Sequence, residues 1–345
     1  MIASPPPDLE LAAFVAGLGV SSPDAPQRWT PLSGGVSCQA WRVDLADGPS
    51  LCVKRALAKL AVTADWRVPV GRALFEYRWF ETARSVIPDA APEPLGVDPE
   101  RGLIAMTFLN GGEYRLWKAQ LLAGNVEVAT ARDVGARIGA IHAATTGRQD
   151  IADRFSSGDI FYALRLEPYL LAAGAARPAV APALRAVVEA TACVRLALVH
   201  GDVSPKNILV GPTGPVFLDA ETAWYGDPAF DLAFCLNHLL LKCLVVAGQA
   251  AALLESFDAL ASAYLECVEW EPPAAFEARA AQLLPGLLLA RVDGKSPVEY
   301  LTLPAQKNLV RAVAEPLLVS PVRTLAEVRS AWRRSLQAAN ARGEL

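Results

Sequence analysis

One stretch of this chain, residues 198–231, constrains its fold more than any other. It places three polar side chains, Asp202, Asn207 and Asp219, at the ends of two short apolar strands. Transfer of a phosphoryl group from a nucleotide needs a carboxylate near the attacking hydroxyl and oxygen ligands for magnesium. Because a loop followed by a hairpin can bring all three side chains to one point, the stretch predicts a phosphoryl-transfer site.

The size and composition of the chain favour a folded protein and limit its partners. Its 345 residues, 53% of them hydrophobic, suffice for one large domain or for two lobes with a sizeable core. A net charge of −4 argues against a nucleic-acid partner bound through a basic surface. We therefore expect no nucleic-acid partner, while the class of a small substrate stays open.

The cysteines and the apolar segments predict where the protein resides. The six cysteines include no Cys-x-x-Cys pair and lie mostly among apolar residues, which indicates buried free thiols in a reducing compartment. The three histidines give little support to a Cys/His zinc site. Residues 1–8 lack the basic start and apolar run of a signal peptide, and the apolar stretch 243–254 is too short to span a bilayer. We expect a cytoplasmic protein with no membrane partner.

A hairpin with a small-residue tip is predicted within residues 29–43, after a short helix over residues 8–20. The tip consists of Ser33, Gly34, Gly35, Val36 and Ser37. Glycines let a backbone approach phosphates closely, so the N–H groups at this tip could bind a nucleotide. A Gly-Gly hairpin is also an ordinary turn, and the chain contains neither a P-loop nor a Rossmann glycine pattern. The hairpin alone leaves both interpretations open.

Two charged residues could complete such a nucleotide site. Lys54 ends a predicted strand over 51–55, from which it could reach the phosphates of a nucleotide held under the hairpin. Glu76 lies in a predicted helix over 70–86, where it could hold Lys54 in place. The alternatives are a solvent-facing lysine at a strand end and a glutamate on a solvated helix face.

The sequence changes from strand-rich to helix-rich near residue 110, and we place a lobe boundary there. Residues 1–109 would form a nucleotide-binding N-lobe, and residues 110–345 a C-lobe with the catalytic loop and the acceptor pocket. If the end of the last N-lobe strand is the hinge, backbone groups of Thr107, Phe108 and Leu109 would suit adenine.

Helical periodicity dominates the C-lobe. It predicts helices within 117–144, over 159–175 and 178–195, as a pair within 229–268 and over 274–292, with further helix toward the C-terminus. His142 ends an apolar helix face, so we expect a core histidine there rather than a catalyst.

The pattern His-Gly-Asp-x-x-x-x-Asn at 200–207, followed by Leu-Asp at 218–219, resembles the aminoglycoside phosphotransferase and choline kinase superfamily. The resemblance implies an α+β, bilobal protein-kinase-like fold with a small β-rich N-lobe and a larger helical C-lobe. It also implies ATP and Mg²⁺ as cofactors and a small-molecule hydroxyl acceptor as partner.

The same resemblance assigns roles to single residues. Asp202 would be the catalytic base, and Asn207 and Asp219 would bind magnesium. The Asp-Ala-Glu at 219–221 resembles methylthioribose kinases, which makes Glu221 a second metal or water ligand, with a structural hydrogen bond as the alternative. Asp231 would hold the backbone of the catalytic loop.

In the N-terminal half, the resemblance assigns nucleotide contacts. Residues 33–37 match a Gly-Gly-x-Ser nucleotide loop, Lys54 a lysine that binds phosphates, and Glu76 its helical partner. Cys38 departs from the asparagine that many relatives have there, which puts one local loop contact in doubt.

The acceptor is the least constrained part of the prediction. We assign Arg291, Asp293, Lys295 and Trp224 to acceptor contacts. The basic pair favours an acceptor with oxygen-rich or anionic groups over a polycation, and the alternative is a solvated turn with a salt bridge.

An ATP-dependent small-molecule kinase is therefore the predicted function. A catalytically silent nucleotide-binding pseudokinase is the alternative from another class. A protein kinase is disfavoured because only eleven residues separate Asp219 from Asp231, too few for an activation loop and peptide platform.

Overall fold

The computed structural model describes residues 6–22, 25–32, 35, 37–59 and 66–344 of the chain. Strands dominate up to Thr107, and helices dominate from Trp117 onward. The change in secondary structure therefore falls where the composition of the sequence changes.

An antiparallel sheet of five strands forms the N-terminal part. The strands are β1 (Gln27–Leu32), β2 (Cys38–Leu45), β3 (Ser50–Ala56), β4 (Pro94–Asp98) and β5 (Leu103–Thr107). Their order across the sheet is β1-β2-β3-β5-β4, and each neighbouring pair is antiparallel. Every second side chain from Trp41 to Leu45 is buried, as a strand with one covered face requires.

Two helices cover this sheet. The first, α1 (Leu9–Ala16), begins at the N-cap Asp8, whose carboxylate accepts the Leu11 N–H at 3.0 Å, and it buries Leu11 and Val15 against the sheet. The second, α2 (Ala73–Val86), lies between β3 and β4 in sequence and contacts β4 and β5. Its buried face carries Glu76 together with large apolar side chains, so this carboxylate faces the interior.

Short strands hold the loops of the C-terminal part. One sheet contains β6 (Arg115–Leu116), β8 (Ile208–Gly211) and β9 (Gly214–Phe217), and a separate pair contains β7 (Ala197–Val199) and β10 (Trp224–Gly226). The hairpin of β8 and β9 lies between the predicted catalytic loop and Asp219. It therefore folds these two segments toward each other.

Eleven helices form the rest of the described C-terminal part, in good agreement with the predicted periodicity. They are α3 (Trp117–Leu122), α4 (Val128–Thr145), α5 (Gln149–Arg154), α6 (Gly158–Phe161), α7 (Ala172–Ala176), α8 (Ala181–Cys193), α9 (Ala229–Lys242), α10 (Ala250–Leu265), α11 (Pro273–Asp293), α12 (Pro304–Val319) and α13 (Leu325–Ala341). Every residue of α9 is buried, and it contacts α10 and α11, so it is a central helix of the core.

A π-helical segment, Tyr162–Leu171, joins α6 to α7. It contains Pro168, which lacks the N–H that a regular helical turn would use. The sequence predicts one helix over 159–175 but not this wider winding, which carries Arg165 to the catalytic loop.

Two remaining predictions concern cysteines and membrane spans. All six cysteines are free, but only Cys235 and Cys243 are buried and Cys193 is exposed, so the expectation of buried thiols holds only in part. Among the described residues, no single helix combines the length and the apolar composition of a membrane span; only the bent pair 158–176 and 178–193 meets that test when combined.

Candidate active site

Asp231 at the start of α9 fixes the loop that follows β7. Its Oδ2 accepts the His200 N–H at 2.7 Å, and its Oδ1 accepts the Gly201 N–H at 2.8 Å. Gly201 has φ +80°, and a Cβ there would lie 2.6 Å from Thr222 Oγ1, so the turn requires glycine. Asp231 thus holds the loop backbone, as predicted.

Two buried histidines support this loop. His142 places Nδ1 2.6 Å from the Tyr264 hydroxyl and Nε2 3.2 Å from Asp231, so its prediction as a core histidine is confirmed. His200 Nδ1 accepts the Asp202 N–H at 3.1 Å, and Nε2 donates to the Leu218 carbonyl at 3.0 Å. Burial lowers the pKa of His200, which favours the neutral ring, and the two hydrogen bonds fix this tautomer.

Asp202, the predicted base, is held by two cations. Its Oδ2 lies 2.8 Å from Arg165 Nη2 and 3.1 Å from Lys206 Nζ, and Ser204 Oγ donates to Oδ1 at 3.3 Å. Burial acts to raise the pKa of this carboxyl, but Lys206 and Arg165 outweigh burial and lower it. The group is therefore an ionised carboxylate at neutral pH, able to accept a hydrogen bond from a hydroxyl.

Asn207 ties the catalytic loop to the segment that carries Asp219. Its side-chain Nδ2 donates to the Asp202 carbonyl at 3.1 Å, which braces the loop. Its backbone carbonyl accepts the Leu218 N–H at 2.8 Å. The three polar residues of the 198–231 stretch are thereby brought together.

Lys54 joins two carboxylates that are distant in sequence. Its Nζ lies 2.8 Å from Glu76 Oε1 and 2.6 Å from Asp219 Oδ1. Burial acts to lower the pKa of Lys54, but Asp219 and Glu76 outweigh it and raise the pKa well above its ordinary value. The lysine is neither solvent-facing nor isolated, and it bridges the N-terminal sheet to the catalytic segment.

The two carboxylates around Lys54 differ in charge state. Burial raises the pKa of Glu76 to about 7. Burial acts in the same direction on Asp219, but Lys54 and Lys206 outweigh it and lower the pKa of that carboxyl. Asp219 is therefore the more firmly ionised of the two, which suits a ligand of a metal cation.

The backbone at Asp219 is strained. Among the described non-glycine residues it alone has a positive φ, +65°, a conformation that costs about 1–3 kcal/mol outside glycine. Strained residues persist where the surrounding contacts hold them, and here the ion pair to Lys54 does so.

A cavity of about 610 Å³ lies between the N-terminal sheet and this cluster. Its polar end is lined by Lys54, Glu76, Asn207 and Asp219, and its apolar walls include Met106, Leu209 and Leu218. A pocket with apolar walls and a few convergent polar groups is the usual form of a small-ligand site. Asp202 does not line this cavity.

The predicted hinge residues Thr107, Phe108 and Leu109 line the same cavity. The N–H of Thr107 donates to the Glu93 carbonyl at 2.9 Å, and that of Phe108 to the Ser50 carbonyl at 3.0 Å. These two donors are occupied. A base would therefore have to use the Phe108 carbonyl and the Leu109 N–H, which enter none of the hydrogen bonds described for this segment.

The predicted glycine-rich tip is only partly within the described residues. Gly35 lines the cavity, and the Ser37 carbonyl accepts a hydrogen bond from Arg72 Nη2 at 2.6 Å. Ser33 and Gly34 lie outside the described residues, so their contacts to a nucleotide stay predictions.

Glu221 contacts a buried arginine. Its Oε2 lies 2.8 Å from Arg72 Nε, and the Arg72 guanidinium also donates to the carbonyls of Ser37, Leu57 and Pro69. This is the structural hydrogen bond that the sequence left as the alternative. The role of Glu221 as a metal ligand stays a prediction.

The oxygens available to magnesium are those of Asp219 and Asn207. Asp219 Oδ1 accepts a hydrogen bond from Lys54, and the Asn207 side-chain nitrogen donates to the catalytic loop. Asp219 Oδ2 and the Asn207 amide oxygen therefore remain for a metal at the cavity wall. Hard oxygen donors of this kind fit Mg²⁺ when phosphate oxygens complete the shell. In the described part of the chain, no three His, Cys, Asp or Glu side chains group to hold a metal by themselves.

The four predicted acceptor residues lie in different places. Arg291 lines a small pocket beside the catalytic loop. Asp293 is instead paired with Arg311 at 2.6 Å, and Lys295 with Glu167 at 2.7 Å on the surface.

Trp224 lies away from the pocket that Arg291 lines. It pairs with Val199 across β10 and β7, and its buried ring stacks on Phe161 with centroids 4.3 Å apart. The side chain packs in the core and borders a separate cavity next to Arg195. A large aromatic residue on a short buried strand thus has its packing partners already, and a contact of Trp224 with the acceptor stays a prediction.

A family model for the phosphotransferase enzyme family matches residues 28–270. The chain belongs to this family. The match spans the hairpin, the Lys54 cluster, the catalytic loop and Asp231, and it confirms the resemblance seen in the sequence.

Comparison with curated proteins adds more distant relatives. Methylthioribose kinase 1 of Oryza sativa subsp. japonica is 25% identical over 239 residues, which cover 60% of this chain and 54% of that protein. The chain thus spans about half the length of the curated relatives it matches.

Solved structures confirm the protein-kinase-like fold. An amicoumacin kinase solved with AMP-PNP, Ca²⁺ and Ami has a TM-score of 0.56 at 15% identity, covering 92% of this chain and 95% of that one. A macrolide 2′-phosphotransferase from Brachybacterium faecium has a TM-score of 0.51 at 18% identity, covering 96% and 98%.

Sequence reasoning missed several charged residues around this candidate site. Lys206 lies inside the His-Gly-Asp-x-x-x-x-Asn loop, four residues after Asp202, and that position could have been a signal. Lys242 interrupts a run of leucines, which marks a buried charge. No local signal distinguishes Arg72 and Arg165, whose partners lie far away in sequence.

Proposed function

We propose that this protein transfers the γ-phosphoryl group of ATP to a hydroxyl of a small molecule, with Mg²⁺ as cofactor. The observation that carries the proposal is the position of Lys54, which joins Glu76 to Asp219 at the polar end of a cavity of about 610 Å³. Membership of the phosphotransferase family supports the same reaction class.

In this proposal the cavity binds ATP, with its base against the apolar walls near Phe108 and Leu109. Lys54 points its ammonium at the deep end, where it would hold phosphate oxygens. Asp219 and Asn207 would hold magnesium, which when bound neutralises charge on the phosphates. Glu76 keeps Lys54 in place, because a lysine held by two carboxylates loses little further freedom when phosphate arrives.

Asp202 would receive the acceptor hydroxyl. Arg165 and Lys206 lower its pKa, so it is a weak base that stays ionised. A weak base contributes mainly by accepting the hydroxyl hydrogen bond and aiming the oxygen at phosphorus. This is sufficient for a reaction with a loose transition state, which needs positioning more than proton removal.

Substitution of Asp202 tests this assignment. Asp202→Ala and Asp202→Asn are expected to lower turnover by about 10²–10⁴-fold, because Ala removes the hydrogen-bond acceptor and Asn keeps only a neutral amide oxygen that cannot take the proton. Turnover is measured as Mg²⁺-dependent ADP release with a panel of sugars, amino alcohols and antibiotics, including methylthioribose. Binding of AMP-PNP, followed by thermal shift, should persist because Asp202 does not line the cavity.

Asp150→Asn is the matched control, since Asp150 is an exposed carboxylate paired with Arg148 away from the cavity. Near-normal turnover in Asp202→Ala would refute the role of Asp202. The pseudokinase alternative predicts AMP-PNP binding with no ADP release for any acceptor.

A further inference from the structure

A second, small cavity borders the catalytic loop and is called here the basic pocket. Its polar lining consists mainly of Lys118, Lys206, His238, Lys242, Arg291 and Tyr300. Lys206 also lies 3.1 Å from Asp202 Oδ2. The basic pocket therefore adjoins the carboxylate that we assign to the acceptor hydroxyl.

Lys242, at the end of α9, is a buried lysine without an anionic partner among the described residues. Lys242 is only 1% exposed, and its Nζ forms neither an ion pair nor a hydrogen bond within the described residues. Its neighbour is the ring of Tyr300, with the centroid 5.0 Å away. Burial, together with nearby Lys118, lowers the pKa of Lys242 to about 7. A protonated amine here is costly unless an anion approaches.

Arg291 also has no carboxylate partner among the described residues. Its Nη1 donates to the Tyr169 hydroxyl at 3.1 Å and to Ser296, both neutral groups, and its buried Nε has no partner among the described residues. The other two deeply buried arginines differ, because Arg72 pairs with Glu221 and Arg165 with Asp202. Arg291 is thus a buried guanidinium whose charge the described chain does not balance.

His238, one turn before Lys242 on α9, adds an unused polar atom. Its Nδ1 lies 3.5 Å from the Tyr300 hydroxyl, and its buried Nε2 has no hydrogen-bond partner in the described part of the chain. Unsatisfied buried polar atoms are uncommon and often mark the place of an unseen ligand or water. The Lys242 amine, the Arg291 guanidinium and one ring nitrogen of His238 are therefore left without a counter-ion or a hydrogen-bond partner around one cavity.

The nearby carboxylates do not pair with Lys242 or Arg291. Glu299 lines the basic pocket, but it pairs with Lys118 and its side chain is mostly exposed. Asp202 pairs with Lys206 and Arg165. The inner end of the pocket thus keeps an excess of positive charge.

We propose that the acceptor carries an anionic group, a carboxylate or a phosphate monoester, which binds in the basic pocket while its hydroxyl reaches Asp202. This proposal rests on the proposed function and specifies the substrate class of the same site. The anion would pair with Lys242 and Arg291 and would compete with Asp202 for Lys206. A cationic acceptor amine would instead meet the Arg291 guanidinium and the Lys242 amine, neither of which has a counter-ion, and like charges at short range oppose its binding.

The size of the basic pocket limits what enters it. Its volume is about 20 Å³, which is room for one water-sized group. Lys118 and Lys206 are partly exposed and can swing aside, whereas Lys242 and Arg291 are fixed by burial. The pocket as it stands therefore admits one oxygen of the anionic group. Its other oxygens enter only when Lys118 and Lys206 move aside, and the rest of the acceptor lies outside, toward the catalytic loop.

The first experiment compares acceptors that differ in charge. Glycerate, gluconate and glycerol 3-phosphate are assayed beside the neutral glycerol and glucose and the cationic choline and ethanolamine, with ADP release and ³¹P NMR as readouts. We expect measurable turnover in the anionic arms, with the carboxylate and phosphate arms distinguishing the two anions. Preference for a neutral or cationic acceptor would overturn this inference and leave the proposed function intact.

Variants then locate the anion. Lys242→Met and Arg291→Met are expected to raise KM for the anionic acceptor by about tenfold or more, with kcat changed far less, because they remove ground-state binding. Lys307→Met on α12 replaces a lysine outside the basic pocket and is the matched control. An equal loss of kcat in both variants with KM unchanged would contradict an anion site.

The second experiment does not depend on activity. Inorganic phosphate is titrated against the full chain in a thermal-shift assay, with NaCl at equal ionic strength as reference. The stabilisation by phosphate should persist in Lys54→Met, which alters the nucleotide cavity, and should disappear in Lys242→Met. Loss in Lys54→Met alone, or no stabilisation in the unmodified chain, would overturn the anion site even if no acceptor is turned over.

Discussion

Lys54 and Lys242 are both largely buried lysines that line cavities, but their surroundings are opposite. Lys54 is held by two carboxylates, and its pKa is raised well above the ordinary value. Lys242 has no carboxylate partner among the described residues, and its pKa is lowered to about 7. The chain itself balances the first charge, whereas the second depends on a group from outside. A cavity lined by balanced charges is preformed, and one lined by unbalanced charges indicates the charge of its ligand.

The largest expected effect is that of Lys54→Met. Removing this cation leaves Glu76 and Asp219 together without their partner, so we expect the free energy of unfolding to fall by about 2–4 kcal/mol, somewhat below the loss for a fully buried pair because Asp219 is partly exposed. Urea denaturation followed by circular dichroism measures the change, with Lys307→Met as reference. Unchanged stability would mean that the two lysines are less different than their contacts indicate.

Lys242→Met should act in the opposite direction. The folded-state pKa of Lys242, about 7, lies below its value in the unfolded chain, so the unfolded state binds more protons between pH 7 and pH 10. The stability of the unmodified chain should therefore rise with pH in this window, by at most about 1.4 kcal/mol per pH unit from this group. At pH 7 the variant is expected to be the more stable protein.

The difference in free energy of unfolding between the unmodified chain and Lys242→Met separates the titration of Lys242 from that of all other groups. Free energies of unfolding measured for both at pH 7, 8 and 9 should converge as the pH rises. Parallel pH profiles for the two chains would show that Lys242 is already balanced, and the contrast with Lys54 would then be lost.

The smallest effect is expected for Lys295→Met. Lys295 forms an exposed ion pair with Glu167, and such pairs contribute about 0–1 kcal/mol. We expect little change in stability and, for any acceptor that is turned over, a KM close to that of the unmodified chain. A rise in KM comparable to that of Arg291→Met would instead support the acceptor contact that the sequence predicted for Lys295.

The sequence predicts those parts of the site that depend on local order. The spacing of Asp202, Asn207 and Asp219 is a property of one loop and one hairpin, and the structure brings these residues together as expected. Helix positions follow from apolar periodicity for the same reason. Glu76 is also paired as predicted, because its helix carries it on an apolar face that has to be buried.

Contacts made across the fold lie beyond such reasoning. Arg72 meets Glu221 across 149 positions of the chain, and Arg165 reaches Gly201 from a π-helical turn that no periodicity indicates. For the acceptor, Arg291 lines a pocket beside the catalytic loop, and its contact with the acceptor stays a prediction. The density of charge around residue 291 does not reveal which of the neighbouring charges already have partners, and Lys295 does.

Arg72 connects two segments of the candidate site. One guanidinium holds the Ser37 carbonyl, which follows the glycine-rich tip, and the Glu221 carboxylate, two residues after Asp219. A shift of the Ser37 carbonyl would therefore be passed through a single planar group to the segment that carries Glu221 and Asp219. In the proposed function, entry of the nucleotide would thus be coupled to the position of Asp219, and a change at position 72 would let the two segments move independently.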